Sequence, residues 1–148
     1  MKTFNKIAIA STLLALTSGV YANSIDQDSA TVSMNVGLFA SLTGLDNFTL
    51  TTSDTDGAAG AVYSGSDSFN LESNGQVRVT LAGGDLSNGA DSVSTAYAMD
   101  VSGTTFDTVA DSVHNASHTV SASATLGNIS SQKAGAYSSE ITITVSAI

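Results

Sequence analysis

The sequence has 148 residues, with four basic residues against 13 acidic residues, a formal charge of −9, and neither cysteine nor proline. This acidity argues against a nucleic-acid-binding protein, because phosphate binding depends on clustered Lys and Arg side chains. The absence of cysteine excludes disulfides, so packing and strand pairing must stabilise the fold.

The first predicted element is a secretory signal peptide over residues 1–22. Lys2 and Lys6 form a positively charged start, and Ile7 to Leu16 is a short apolar stretch that is followed by small residues up to Ala22. The apolar stretch is shorter than the ~20 residues that a membrane-spanning helix needs. We therefore expect export, cleavage after Ala22, and a mature protein without a membrane span.

The second predicted element is an N-terminal extension over residues 23–40. In "SATVSMNVGLFA", residues 29–40, apolar and polar side chains alternate with the period of a strand that buries one face. The sequence leaves open whether this strand is the first edge strand of its own domain or pairs with another chain. Its apolar positions are Ala30, Val32, Met34, Val36 and Leu38.

The rest of the chain, residues 41–148, is predicted to form one domain of further strands. The turn "SNG", residues 73–75, predicts that the strands on either side of it pair as a hairpin. Seven to eight strands with one apolar face each predict an all-β fold, an antiparallel two-sheet immunoglobulin-like sandwich. This count includes the strand at 29–40, and the other predicted strands lie near 45–51 and at 69–72, 76–82, 93–101, 119–126 and 141–147. The predicted inward residues include Phe48, Val79, Tyr97, Ala122, Ile143 and Val145.

No catalytic, cofactor or metal site is predicted. His114 and His118 are four residues apart, but that spacing brings metal ligands together on a helix, and this segment is typical of a loop that runs into a strand. Both histidines are therefore expected to be solvated polar residues. Asp54 and Asp56 hint at a calcium loop, yet Gly57 falls at the fourth position instead of the sixth, so only incidental calcium binding stays open.

The two ends of the chain carry a family resemblance. "ATVSMNVGLFASL", residues 30–42, and "AGAYSSEITITVSAI", residues 134–148, resemble the major subunits, or pilins, of enterobacterial alpha-class fimbriae and the related spore coat U-like secreted domains. In those families a Val/Thr-rich N-terminal strand precedes the domain, and a Gly-x-Tyr turn leads into the last strand. Gly135 and Tyr137 match that turn.

The resemblance implies a structural subunit of a bacterial surface filament, exported through the periplasm. The sandwich would lack one strand, which the N-terminal extension of the next copy supplies by donor-strand exchange, and the five apolar residues at positions 30–38 would fill that copy's groove. A periplasmic chaperone and an outer-membrane usher are the further partners that it implies. The alternative is a monomeric secreted or surface binding module, such as an adhesin or a biofilm-matrix protein.

Overall fold

A computed structural model describes residues 26–100 and 103–148. The predicted signal peptide and Val101 therefore lie outside the described residues. The chain divides into two compact units, Met1–Asn35 and Val36–Ile148. In the first unit, the described residues 26–35 are exposed and form no strand.

Nine strands make up the described part of the second unit, together with one short 3₁₀ turn at Ile129–Ser131 and no α-helix. Their alternating burial follows from the alternation of apolar and polar residues in the sequence. The strands are β1 Ala40–Thr43, β2 Val62–Ser73, β3 Val77–Gly83, β4 Leu86–Ser87, β5 Ser92–Val93, β6 Thr95–Met99, β7 Thr105–Asp107, β8 His114–Thr125 and β9 Ile141–Ala147.

The strands form two larger sheets, in the orders β1-β2-β8-β6 and β7-β3-β9, and a small hairpin of β4 and β5. Every strand pair among the described residues is antiparallel. The two larger sheets enclose one hydrophobic core, and the prediction of an all-β antiparallel two-sheet sandwich is confirmed. The core comprises Phe69, Leu71, Val77, Val79, Leu81, Met99 and Val120.

The inward residues predicted from the alternation also lie where they were expected. Val79 and Ala122 are buried. Phe48, Tyr97, Ile143 and Val145 are half-buried and pack against the core cluster. A period of two in these segments was therefore sufficient to identify the faces of β3, β8 and β9 that point inward.

The predicted hairpin between β2 and β3 is wrong. β2 pairs with β1 and β8, whereas β3 belongs to the other sheet and pairs with β7 and β9. A strand has only two edges, and both edges of β2 are occupied, so the turn at 74–76 carries the chain from one sheet to the other. The Ser73 hydroxyl donates a hydrogen bond to the Gly75 carbonyl within this turn.

The predicted strand near 45–51 is also absent from the structure. Thr43 is paired with Asn70 and Thr51 is paired with Ser64, so seven residues of this segment lie opposite five residues of β2. The two extra residues push the chain out of the ladder, as in a large bulge. A Cβ on Gly65 would lie 2.5 Å from the Thr49 carbonyl oxygen, so the segment crosses β2 where there is no side chain.

Candidate functional site

The C-terminal strand β9 has an open edge. It pairs with β3 along its whole length, from Val77↔Ala147 to Gly83↔Ile141, and its other edge has no partner strand in the described part of the chain. Exposed edges are usually protected against further pairing by Pro, Lys or another charged residue. β9 has the sequence ITITVSA and contains neither a charge nor a proline. This edge is therefore suited to receive another strand.

The inward row of β9 is incompletely covered. Val79 and Leu81 of β3 are buried, but the residues paired with them, Val145 and Ile143, are only half-buried, as is Ile141 at the start of β9. β9 is an edge strand of this sheet, so within the described residues its inward row has a neighbouring strand on one side only. A further strand at this edge would cover the exposed part of the row.

A groove lies between the segment 45–50 and the start of β9. It consists of two hollows of about 660 Å³ and 580 Å³ that share Leu50, Leu86 and Tyr137. This groove was not predicted, because Leu45, Phe48 and Leu50 do not alternate strictly along the sequence. The apolar residues that line it are Leu45, Phe48, Leu50, Leu86, Val93, Tyr97, Ala122, Ala124, Leu126, Ile129 and Ile141.

A few polar groups lie at the end of the groove near Leu126. The Tyr63 hydroxyl donates a hydrogen bond to Asp56, which raises the pKa of Tyr63 above its ordinary value. The Tyr137 hydroxyl donates to the Lys133 carbonyl. The buried Gln132 Oε1 has no hydrogen-bond partner within the residues that the structure describes. A buried acceptor without a donor costs free energy, so an incoming N–H group would be favourable here.

The predicted donor residues are exposed. Val32 and Met34 are 95% and 86% exposed, Val36 and Leu38 are also exposed, and Ala30 is exposed as well. Residues 26–39 form no strand, so the strand predicted at 29–40 is present only from Ala40 onwards. Large apolar side chains in a regular row are rarely left in water without a partner.

The end of this extension is attached to the domain through Asn74. The Asn74 side chain accepts a hydrogen bond from the Phe39 N–H at 2.7 Å and donates one to the Gly37 carbonyl at 2.9 Å. The Asn74 N–H also donates to the Phe39 carbonyl. We call this set of three bonds the Asn74 clasp. It continues the β1–β2 pairing by one residue.

The prediction that His114 and His118 are solvated residues is wrong. Both lie on the inward face of β8, half-buried, with their Nε2 atoms 2.9 Å apart and their rings stacked. The His118 Nδ1–H donates to the Asp100 carboxylate at 2.8 Å, so in the neutral pair the His118 Nε2 accepts a hydrogen bond from the His114 Nε2–H. His114 and His118 are four residues apart on the strand, and they make contact because both rings lean towards each other. The His118 ring also stacks on Phe69 and Phe106.

Burial and the neighbouring His118 lower the pKa of His114 below its ordinary 6.5. The unfolded chain then binds this proton more readily than the folded chain does. We expect the free energy of unfolding to decrease as the pH falls through about 6.5, since the unfolded state gains the proton first. Urea denaturation at a series of pH values measures this.

A His114→Gln variant is the matched control, and its stability should vary less between about pH 5 and pH 7. If the stability of that variant depended on pH as strongly as that of the unmodified protein, the effect would not come from His114.

Asp100 affects stability in a lower pH range. Burial raises the pKa of Asp100, but hydrogen bonds from His118 and the Thr119 N–H outweigh this effect and leave the pKa lowered. Its contribution is therefore lost only below its ordinary value of 3.8.

Comparison with known proteins adds no family to these observations. No protein-family model matches the chain, and a search of curated proteins found no match. Among the described residues, no helix is long and apolar enough to cross a membrane. No group of three or more His, Cys, Asp or Glu side chains in the same residues is arranged to hold a metal ion.

Proposed function

We propose that this protein is a structural subunit of a bacterial surface filament, a fimbria or pilus, and that its copies join by strand donation. It is exported through the periplasm, where a chaperone binds the subunit before it is assembled at an outer-membrane usher. The observation that carries the proposal is the half-exposed inward row of β9 beside an unpaired edge. The extension of another copy supplies what is missing there.

The extension and the groove have complementary chemistry. The extension offers a row of apolar side chains at every second position, centred on Val32, Met34 and Val36, and the groove is lined mainly by apolar residues. Burial contributes about 0.8 kcal/mol per CH₂ group, and each main-chain bond to β9 contributes about 1 kcal/mol. A contact that uses different surfaces on the two copies does not close on itself and propagates into a fibre.

The test compares three forms of the mature protein. The first form is the intact mature protein, and the second lacks residues 23–36 but keeps the Asn74 clasp. The third has the same deletion and carries residues 24–38 after Ile148 through a flexible Gly/Ser linker. We expect the deleted form to be unstable alone and to bind a peptide of residues 26–36, because its groove is empty. The tail-extended form should be a stable monomer that does not polymerise, as size-exclusion chromatography and electron microscopy would show.

A peptide in which Val32 and Met34 are replaced by Ser is the control, and the deleted form should not bind it. The proposal fails if the intact protein is a stable monomer at every concentration and the deleted form does not bind the unmodified peptide. That result would favour the other candidate, a monomeric secreted or surface binding module.

A further inference from the structure

A patch of exposed apolar residues covers one end of the sandwich. Val109 and Val113 are 73% and 76% exposed, and Leu38 and Phe39 are exposed beside them. None of these four side chains is needed to complete the core cluster. We call these residues the end patch.

The strand register places two residues of the end patch, Phe39 and Val113, in one row. Ala40 pairs with Ser73 and Ser73 pairs with His114, so the next row holds Phe39, Asn74 and Val113. Val109 joins them from the other sheet, because the neighbouring Thr108 is hydrogen-bonded to Val77, where β3 begins. The patch therefore spans both sheets at the end where the extension leaves the domain.

The residues directly before β1 are held on the domain. The Asn74 clasp holds Gly37 and Phe39, and Leu38 packs on Gly75, since a Cβ on Gly75 would lie 2.9 Å from the Leu38 Cδ1. Only residues up to Val36 are free to enter another copy. An extended residue spans at most about 3.6 Å, so the receiving copy must lie directly against the end patch.

Strand direction decides which end of the receiving copy lies there. β9 runs from Ile141, level with Gly83, to Ala147, level with Val77 and thus with the end patch of its own domain. All strand pairs described are antiparallel, and an antiparallel donor would leave the groove beside the start of β9. Ile129, 71% exposed and lining the groove, follows β8 at this opposite end.

We propose that the end patch is a second contact between copies of this chain and packs against the Ile129 end of the copy that receives the donor strand. This inference rests on the proposed function and adds a rigid, end-to-end contact to it. A filament built in this way has no hinge between its subunits, because the clasp and the patch hold each domain on the next.

Cysteine cross-linking tests this contact, and the chain has no native cysteine to interfere. In fibres of the double variant Val113→Cys, Ile129→Cys, a short bismaleimide should join successive copies and give a ladder of covalent multimers on a denaturing gel. Fibres of either single variant should give no ladder. Efficient dimers from Val113→Cys alone would show like ends in contact and overturn the inference.

A second measurement uses the variant Val109→Ser, Val113→Ser. Loss of buried apolar surface should raise the protein concentration needed for fibre growth about tenfold or more. Ala96→Ser, an exposed apolar-to-hydroxyl change on β6, is the control and should leave this concentration unchanged. Equal concentrations for all three proteins would overturn the inference.

The two proposals fail in distinguishable ways. If fibres grow and the donor peptide binds the form that lacks residues 23–36, but no ladder appears, the end contact is wrong and strand donation stands. If no fibres grow and the peptide does not bind, both are wrong.

Discussion

A Met34→Asp variant should be unable to form fibres, and as an isolated subunit it should unfold at the same urea concentration as the unmodified protein before assembly. Met34 is 86% exposed, so the charge costs nothing in the isolated subunit. In the proposed filament the same side chain enters an apolar groove, where an unpaired carboxylate is strongly unfavourable. Light scattering and electron microscopy measure fibre formation, and urea denaturation measures the stability of the isolated subunit.

Ser33→Asp is the matched control for this variant. It places the same charge on the neighbouring residue, whose side chain points to the other face of the donor strand. We expect fibres of this variant to grow almost as well as those of the unmodified protein. If both variants were blocked equally, net charge and not groove filling would explain the loss.

A Phe69→Ala variant should lose about 3–5 kcal/mol of stability, the usual cost of removing a buried Phe side chain. Phe69 is 1% exposed, lies in the core of the sandwich and stacks on His118. Since whole domains are stable by only about 5–15 kcal/mol, this loss could leave the chain largely unfolded. The free energy of unfolding from urea denaturation measures it.

Phe39→Ala is the control for the core, because the same side chain is removed from a position that is 64% exposed. Its stability should stay within about 0.5 kcal/mol of that of the unmodified subunit. A comparable loss in both variants would show that Phe39 is covered in the isolated subunit, contrary to the structure.

The sequence predicted best those strands in which apolar and polar residues alternate without interruption. Val77, Val79 and Leu81 alternate with polar residues, and β3 is found at this position with all three residues buried. β9 was predicted at its observed bounds for the same reason. The short strands β4 and β7 were not predicted, because two or three residues are too few to show a period.

Features that depend on distant parts of the chain could not be predicted. The "SNG" turn has the composition of a hairpin, but β1 and β8 occupy both edges of β2, and no local signal reports this. The groove depends on residues from segment 45–50, from β6 and from the loop before β9. The contact between His114 and His118 likewise depends on ring orientations that spacing along a strand does not reveal.

The position of β3 between β7 and β9 has a consequence for how the chain folds. β3 gains its second partner only when the last residues of the chain arrive, since Val77 pairs with Ala147. A chain that is synthesised from its N-terminus therefore cannot close this sheet until β9 has been made. Pairing between such distant segments is slow, in the range of milliseconds to seconds for β-rich domains. Until β9 pairs, one edge of β3 stays open, so this part of the sheet forms late in folding.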